Sequence, residues 1–442
     1  MDRDFARIRR ADLPFTIHCM SSPLKSYPEV AVIVAAKARQ FALRRRAVEE
    51  LPLASATGRI LAAALRPDRD LPPFARSTRD GYACRAVEAA AHATLRIVGS
   101  IRAGEAPKGP LPPGAAWEIM TGAPVPEGAD AVAMLEHVEA DGGEVRLAKS
   151  RSLKTGENVV PRGAEARKDD EVVPPGTRLA PPQLAMAAAC GYASVPVLAR
   201  PRVAILTTGD ELVPVEATPG PAQIRNSNAP MLAAFVTAAG GKPVILPRAA
   251  DEAEALDDAI ERAANADLLI VSGGVSAGKF DLVEDALARA GAAFHFTGAR
   301  IQPGKPVVFG EVPRDGADGR STGESSRIQP FFGLPGNPIS SAATFLLFVA
   351  PVLAALAGAA ELGPRFGLAR LARDCKGKSD LTRFVPAHCT FGGASGELPQ
   401  VAAIPTQGSG DLAAFSRSNC FLVVPEGVEK IHADEVVRIL LT

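Results

Sequence analysis

At residues 272–281 the chain reads SGGVSAGKFD, directly after the apolar run ADLLIV (266–271). Glycines at the end of a buried strand let backbone amides approach a ligand, and amides gathered at a helix start favour an anion. Two other stretches have the same character: TTGDEL (207–212) after VAIL, and GLPGNPIS (333–340) after a phenylalanine pair. The acids mixed into these stretches, Asp210, Glu211 and Asp281, would repel a phosphate unless a cation such as Mg2+ bridged them. Amides beside carboxylates therefore point to phosphoryl or pyrophosphate chemistry. Each stretch also has a plainer reading, as a turn joining strand to helix, an N-cap, or a helix start that favours Pro338 in its first turn. Neither a Walker lysine motif nor a GxGxxG accompanies the Gly-rich loop. Two more candidates, Asp80 in DLPPFARSTRDGYACRA (70–86) and Thr121 in EIMTGAPVPEGADAV (118–132), read as ordinary turns when taken alone. Taken with the glycine and acid loops, they read as a second wall of one cleft.

The elements that must position these residues fall into three kinds. From residue 200 onward the pattern is strand, loop, helix, repeated: VAIL (203–206), a helix over 229–239, PVIL (243–246), a helix over 252–265, DLLIV, a helix over 281–290, AFHF, VVFGE, and a long apolar helix over 338–357. Strands alternating with crossover helices predict a parallel, doubly wound sheet, whose ligands bind outside the carboxyl ends of the strands. All three loops fall at such ends. Between Pro67 and Pro175 the short pieces TLRIVGS, AWEIMTG, AVAMLE and EVRLAK alternate with Pro/Gly turns, the mark of a β module. A second small β module closes the chain from about 361. Ahead of the first, EVAVIVAAKARQFALRRRAVEEL (29–51) reads as one amphipathic helix, and the polar stretch 313–329 as a surface loop between two strands.

Composition narrows the function classes. The 442 residues are 47% apolar and 22% charged, enough to bury the cores of two to four domains. Lys plus Arg (49) equals Asp plus Glu (49), so no global field draws nucleic acid or an anionic membrane. Six scattered cysteines, without a CxxC pair or zinc spacing, fit a reducing compartment and no structural metal. Lone histidines such as His295 read as packed rather than ligating. The charged start MDRDFARIRR is unlike a secretory signal, and no unbroken run of about 18 apolar residues suggests a membrane span. The expected place is the cytoplasm.

The motifs DLPPFARSTRDGYA, IMTGAPVPEGADAV, GENVVPRGAE, VAILTTGDEL, QIRNSNAPML, SGGVSAGKFD, IQPGKP and FFGLPGNPISS, in that order, resemble the molybdopterin molybdenumtransferase family, MoeA and the E domain of gephyrin. The resemblance spans residues 25–442. It implies a multidomain α/β protein with β modules: an extension (1–24), a discontinuous dimerisation domain I (25–55 and 150–198), an inserted β module as domain II (56–149), a doubly wound, MogA/MoaB-like domain III (199–358) and a β-barrel-like domain IV (359–442). The implied activity is insertion of molybdate into adenylylated molybdopterin, with cleavage of the pyrophosphate bond, release of AMP and Mg2+ as the cation. A homodimer is implied, with Asp80 and Thr121 acting in trans, and a molybdopterin adenylyltransferase and molybdoenzymes as partners. The alternatives are a molybdopterin adenylyltransferase or a non-catalytic scaffold.

Carried onto this chain, the resemblance makes Asp80, Thr121, Glu211 and Asp281 catalytic, with Asp210, Glu211 and Asp281 near the metal. Gly273, Gly274 and Ser276 would offer amides to a nucleotide or pterin phosphate, and Lys305 would bind molybdate or neutralise the leaving AMP. Asn226, Ser227, Pro335, Gly336, Asn337, Pro338 and Ser409 complete the implied binding set. Four positions depart from the family pattern: Asn226 stands where an Asp is common, Gln302 where a first Lys precedes PGKP, Ala164-Glu165 where an Asp follows GENVVPRG, and Arg79 where Met is usual.

Overall fold

A computed structural model describes residues 24–89, 93–148, 151–273, 282–314, 327–390 and 397–442. The chain divides into two units, one made of Met1–Phe41, Pro201–Leu356 and Leu362–Thr442, the other of Ala42–Arg200 and Ala357–Glu361.

In the first unit a six-stranded sheet has the order Lys242–Ile245, Arg202–Thr207, Leu268–Ser272, Arg327–Leu334, Val308–Arg314, Ala293–Thr297. The central strand Leu268–Ser272 is buried at every residue, as a strand covered on both faces must be. The expected all-parallel sheet is corrected here. The first four strands are parallel, but Val308–Arg314 pairs antiparallel with both Arg327–Leu334 and Ala293–Thr297. No crossover helix separates Val308–Arg314 from Arg327–Leu334 among the described residues, so the two return as a hairpin. The surface loop expected at 313–329 is shortened accordingly. Arg314 and Gln329 lie inside that hairpin, buried, with Arg314 Nε donating to Gln329 Oε1 at 2.9 Å. Arg314 also donates to Ile260 O, and Gln329 to Ala263 O and Ala266 O. These bonds add side-chain donors to carbonyls at and just beyond the end of helix Ala253–Arg262, tying it to the hairpin.

Helix Ala253–Arg262 buries Leu256, Ala259 and Ile260, spaced by three and one, against Leu206, Leu269 and Leu287. Truncating Leu256, fully buried there, would cost about 2–5 kcal/mol. The long apolar helix expected over 338–357 spans Pro338–Ala357, 20 residues whose most apolar window has a mean hydropathy of 2.2, enough by length and composition to cross a membrane. Of its most apolar window 83% is buried inside the protein, so its hydropathy serves the core. One π turn, Phe345–Val349, precedes Pro351, whose ring cannot donate to the preceding turn; widening the helix there accommodates it.

Strands Phe366–Leu371, Thr382–Thr390, Gln400–Ala403, Cys420–Val424 and Val436–Leu441 close into a five-stranded barrel, because Thr382–Thr390 pairs with both Gln400–Ala403 and Cys420–Val424. Leu371, Cys389, Val401, Leu422 and Ile439 fill it. The strand Ala299–Gln302 joins its edge in parallel, putting Gln302 opposite Arg383.

The second unit carries a six-stranded sheet ordered Ala131–Met134, Gly81–Cys84, Ala115–Ile119, Thr94–Ile101, Glu144–Leu147, Val138–Asp141. Gly81 is obligatory, since a Cβ there would meet Ala133 O at 1.9 Å. The long N-terminal helix is also corrected. It spans Tyr27–Ala42, burying Val30, Val34, Ala38 and Phe41, and the residues after it form strand Val48–Pro52, antiparallel to Ser194–Leu198. Pairing with a distant strand overrides the helical propensity of RRRAVEEL. The five described cysteines are buried free thiols; burial pushes Cys84 and Cys420 up to about 12.

Candidate functional site

Four parallel strands of the first unit end at the same edge, and the loops leaving them line a cavity of about 700 Å³. Thr208, Gly209 and Glu211 come from the first loop, Asp251 from the loop after Lys242–Ile245, Gly273 from the Gly-rich loop, and Pro335, Gly336, Asn337 and Pro338 from the last. Gly273 has φ +100°, and a Cβ on it would sit 2.5 Å from Thr208 O, so only glycine lets these two loops touch. Gly209 has φ +131° and lies under the Glu211 carboxylate, which a Cβ would strike at 2.6 Å.

The acids divide by environment. Asp210 is exposed and paired with Arg248, Nη1 to Oδ1 at 3.1 Å, while Arg248 also donates to Gly209 O. Asp251 is exposed too, but partial desolvation, then the neighbouring charges of Asp210 and Glu211, hold its carboxyl above the usual carboxylate range. Two carboxylates, Glu211 and Asp251, thus share one cavity at a cost that a bound divalent cation would relieve, and their oxygen donors suit Mg2+. Among the described residues no group of three or more acidic, histidine or cysteine side chains forms a metal cluster. Gly274, Ser276 and Asp281 lie outside the described residues.

Asn226 and Ser227 also line this cavity, but the Asn226 amide is engaged locally. Its Oδ1 accepts from Ala229 N at 3.1 Å, and its Nδ2 donates to Thr207 Oγ1 at 2.8 Å, capping helix Asn228–Ala238. The neighbouring Asn228 is buried, and its Nδ2 donates to Gly336 O at 2.6 Å and Ser272 Oγ at 2.9 Å. Gly336 O can only accept, so Asn228 Oδ1 must turn the other way, where it is left without a partner. Thr208 Oγ1 is likewise buried and unpartnered. Such orphaned atoms at a cavity wall mark where a ligand or water completes the bonding.

A second cavity, of about 330 Å³, adjoins the first and shares Pro306, Pro335 and Asn337 with it. Lys305, Arg383, Ser340, Thr406 and Ser409 all line it, and none of its lining residues is acidic. Ile339 N donates to Ser409 O at 3.1 Å, fastening the barrel loop to the helix start. Arg383 donates from Nη1 to Lys376 O, leaving Nε buried without a partner, and Gln302 Oε1 opposite is also unpartnered. Two cations and three hydroxyls without a counter-acid have the chemistry that suits an oxyanion.

Asp80 and Thr121 belong to the second unit. They sit at adjoining ends of the antiparallel strands Gly81–Cys84 and Ala115–Ile119, where Gly81 pairs with Ile119. Thr121 donates to Asp80 Oδ1 twice, from N at 2.7 Å and Oγ1 at 2.8 Å. The backbone bond first, and then the hydroxyl, hold the exposed Asp80 carboxyl below its usual range. It is therefore a persistent anion with its second oxygen uncommitted by these bonds.

Reasoning from sequence missed Asp251, Arg248 and Arg383. Asp251 carried one available signal, its place in the loop after a predicted parallel strand; Arg383, within a barrel strand, carried none.

A mixed α/β sheet with an acid-lined cavity at its strand ends, beside a cationic pocket walled by a barrel, defines a multidomain α/β protein. Comparison with known proteins narrows the class. Residues 26–191 match the MoeA N-terminal region (domain I and II), 204–355 a probable molybdopterin binding domain, and 368–442 the MoeA C-terminal region (domain IV). A molybdopterin molybdenumtransferase of Bacillus subtilis is 32% identical over 401 residues, 89% of this chain and 89% of that one. One of Nostoc is 37% identical over 319 residues, 71% of this chain and 70% of the relative. The crystal structure of the molybdopterin biosynthesis moeA protein from Pyrococcus horikoshii OT3 matches with a TM-score of 0.75 at 27% identity, covering 95% of this chain and all of that one. The chain belongs to the molybdopterin molybdenumtransferase family.

Proposed function

We propose that this protein is a transferase of molybdenum cofactor biosynthesis that inserts molybdate into adenylylated molybdopterin, breaking the diphosphate P–O bond and releasing AMP. The observation that carries the reading is the pair of adjoining cavities of opposite character: acids and glycine amides in one, two cations and no acid in the other. A substrate joining a diphosphate to a metal-accepting group, and a free oxyanion to be transferred, needs both.

In this reading Lys305 and Arg383 hold molybdate in the smaller cavity, with Ser340 and Ser409 donating to its oxygens. Thr208 Oγ1 and Asn228 Oδ1 receive polar groups of the pterin nucleotide, and Gly273 lets the loops close around it. Glu211 and Asp251 would hold Mg2+, with Asp281 from the Gly-rich loop as a further ligand and Asp210 on the rim. Mg2+ bound there supplies charge neutralisation at the anhydride oxygens. Gly274 and Ser276 contribute amides, and Asn337 and Pro338 start the helix facing the substrate. Asp80, kept ionised by Thr121, acts through its open oxygen on the reacting phosphate or its water. We assign it in trans within a homodimer, the domain boundaries being those that the family resemblance implies. The reaction is placed in the cytoplasm, between a molybdopterin adenylyltransferase and the molybdoenzymes.

The direct test supplies purified protein with adenylylated molybdopterin, Mg2+ and molybdate and follows AMP. AMP release that depends on molybdate is expected. Consumption of ATP would instead make the protein an adenylyltransferase, and the absence of either reaction would make it a scaffold. Asp80→Asn should reduce release by about 10²-fold or more while leaving the oligomer unchanged. Near-normal turnover would remove Asp80 from the mechanism.

A further inference from the structure

The four residues Leu24–Tyr27 have no part in the chemistry above, yet each touches an element that carries the smaller cavity. Leu24 fills the space beside Gly298, where a Cβ would lie 2.4 Å from Leu24 Cδ2; Gly298 has φ +150° and stands immediately before strand Ala299–Gln302. Lys25 and Ser26 pair in parallel with Ala299 and Arg300 of that strand. The pairing is only two residues long, and it is braced by Glu29, whose Oε2 accepts from both N and Oγ of Ser26 at 2.7 Å. Tyr27 then sets its ring edge-on against Phe384, centroids 5.3 Å apart at 74°.

Both partners lead to the pocket cations. Strand Ala299–Gln302 runs into Pro303, Gly304 and Lys305, and the loop is shut by Ala299 N donating to Lys305 O at 3.0 Å. A shift of Ala299 therefore carries Lys305 with it. On the neighbouring strand, which pairs in parallel with Ala299–Gln302, Phe384 is fully buried, next in sequence to Arg383 and lining the same cavity. The Lys305 loop also meets the helix that begins at Pro338, since a Cβ on Gly304 would lie 2.5 Å from Thr344 Cγ2. The loop is thus clamped between that helix and the strand to which Leu24–Ser26 add an edge.

We infer that Leu24–Tyr27 are positioning residues that set the separation of Lys305 and Arg383, and so the fit of a tetrahedral oxyanion between them. This rests on the reading of the smaller cavity as the molybdate pocket. It explains why a two-residue strand is retained at a sheet edge, where by itself it would be marginal. Two cations carried by different segments gain little from an oxyanion that reaches only one of them, and a displacement of about 1 Å is enough to lose much of a well-oriented contact.

The test measures molybdate and AMP binding by titration calorimetry on the full chain, as wild type, Leu24→Ala and Tyr27→Leu, with thermal unfolding recorded for each. Molybdate affinity should fall about tenfold in either folded variant, with AMP affinity unchanged, because AMP occupies the larger cavity. A merely structural role would weaken both ligands together, and that outcome overturns the inference. Unchanged molybdate affinity in a folded variant overturns it as well, leaving the pocket assignment intact. A wild type that binds AMP but no molybdate overturns the pocket assignment and the inference together. Should one variant fail to fold, the other decides by the same criteria.

Discussion

The two adjoining cavities share a wall of Pro306, Pro335 and Asn337 but solve opposite electrostatic problems. In the larger, partial desolvation and the neighbouring carboxylates hold Asp251 above its usual range, a state that a bound cation would relieve. The smaller holds Lys305 and Arg383 with no acid among its lining residues, a surface that an anion would complement. Each is incomplete alone, in opposite senses. A shared wall between uncompensated charges of opposite sign is a way to hold two anions side by side: one through a cation, the other directly. Their mutual repulsion is then met before they react.

The sharpest way to break this contrast is to neutralise one side at a time. Asp251→Asn should lower molybdate-dependent AMP release by about 10²-fold, with the dissociation constant for molybdate unchanged. A loss of molybdate binding in that variant would show that the cavities are not independent. Arg383→Leu should do the reverse, weakening molybdate by roughly tenfold to a hundredfold through the loss of charged hydrogen bonds, with AMP binding kept. If calorimetry finds AMP weakened as much as molybdate, the smaller cavity is not an oxyanion pocket. The smallest effect is expected from Gln302→Lys. Adding a third cation opposite Arg383 should tighten molybdate by about threefold at low ionic strength, and the gain should shrink as salt is raised. A salt-independent gain would point to packing instead of charge.

Much of this was readable along the chain because the chemistry of a loop is local. A glycine that must allow φ near +100°, as Gly273 does, or an acid beside it, as Glu211 is, declares itself within a few residues. Alternating apolar runs located every strand of the α/β sheet except Arg327–Leu334, whose first residues were assigned to a polar loop. What was misread depended on partners far away. Residues 48–52 look helical until Ser194–Leu198 is beside them, and the sheet looks wholly parallel until Val308–Arg314 is seen to turn back on Arg327–Leu334. Arg383 could not be singled out, since it is one arginine of a barrel strand and becomes a pocket cation only by lying opposite Gln302.

The order of residues by itself determined the family, the strand-end loops and their mixture of amides and acids, because those depend on residue type and short spacing. Tertiary structure alone decided which charges stand uncompensated. Asp210 pairs with Arg248 across 38 positions, whereas Asp251 stands near Asp210 and Glu211 and Arg383 lines a pocket with no acid. Coulomb energy falls with distance in space and is indifferent to distance along the chain, so the sign and strength of a site exist only once the chain has folded.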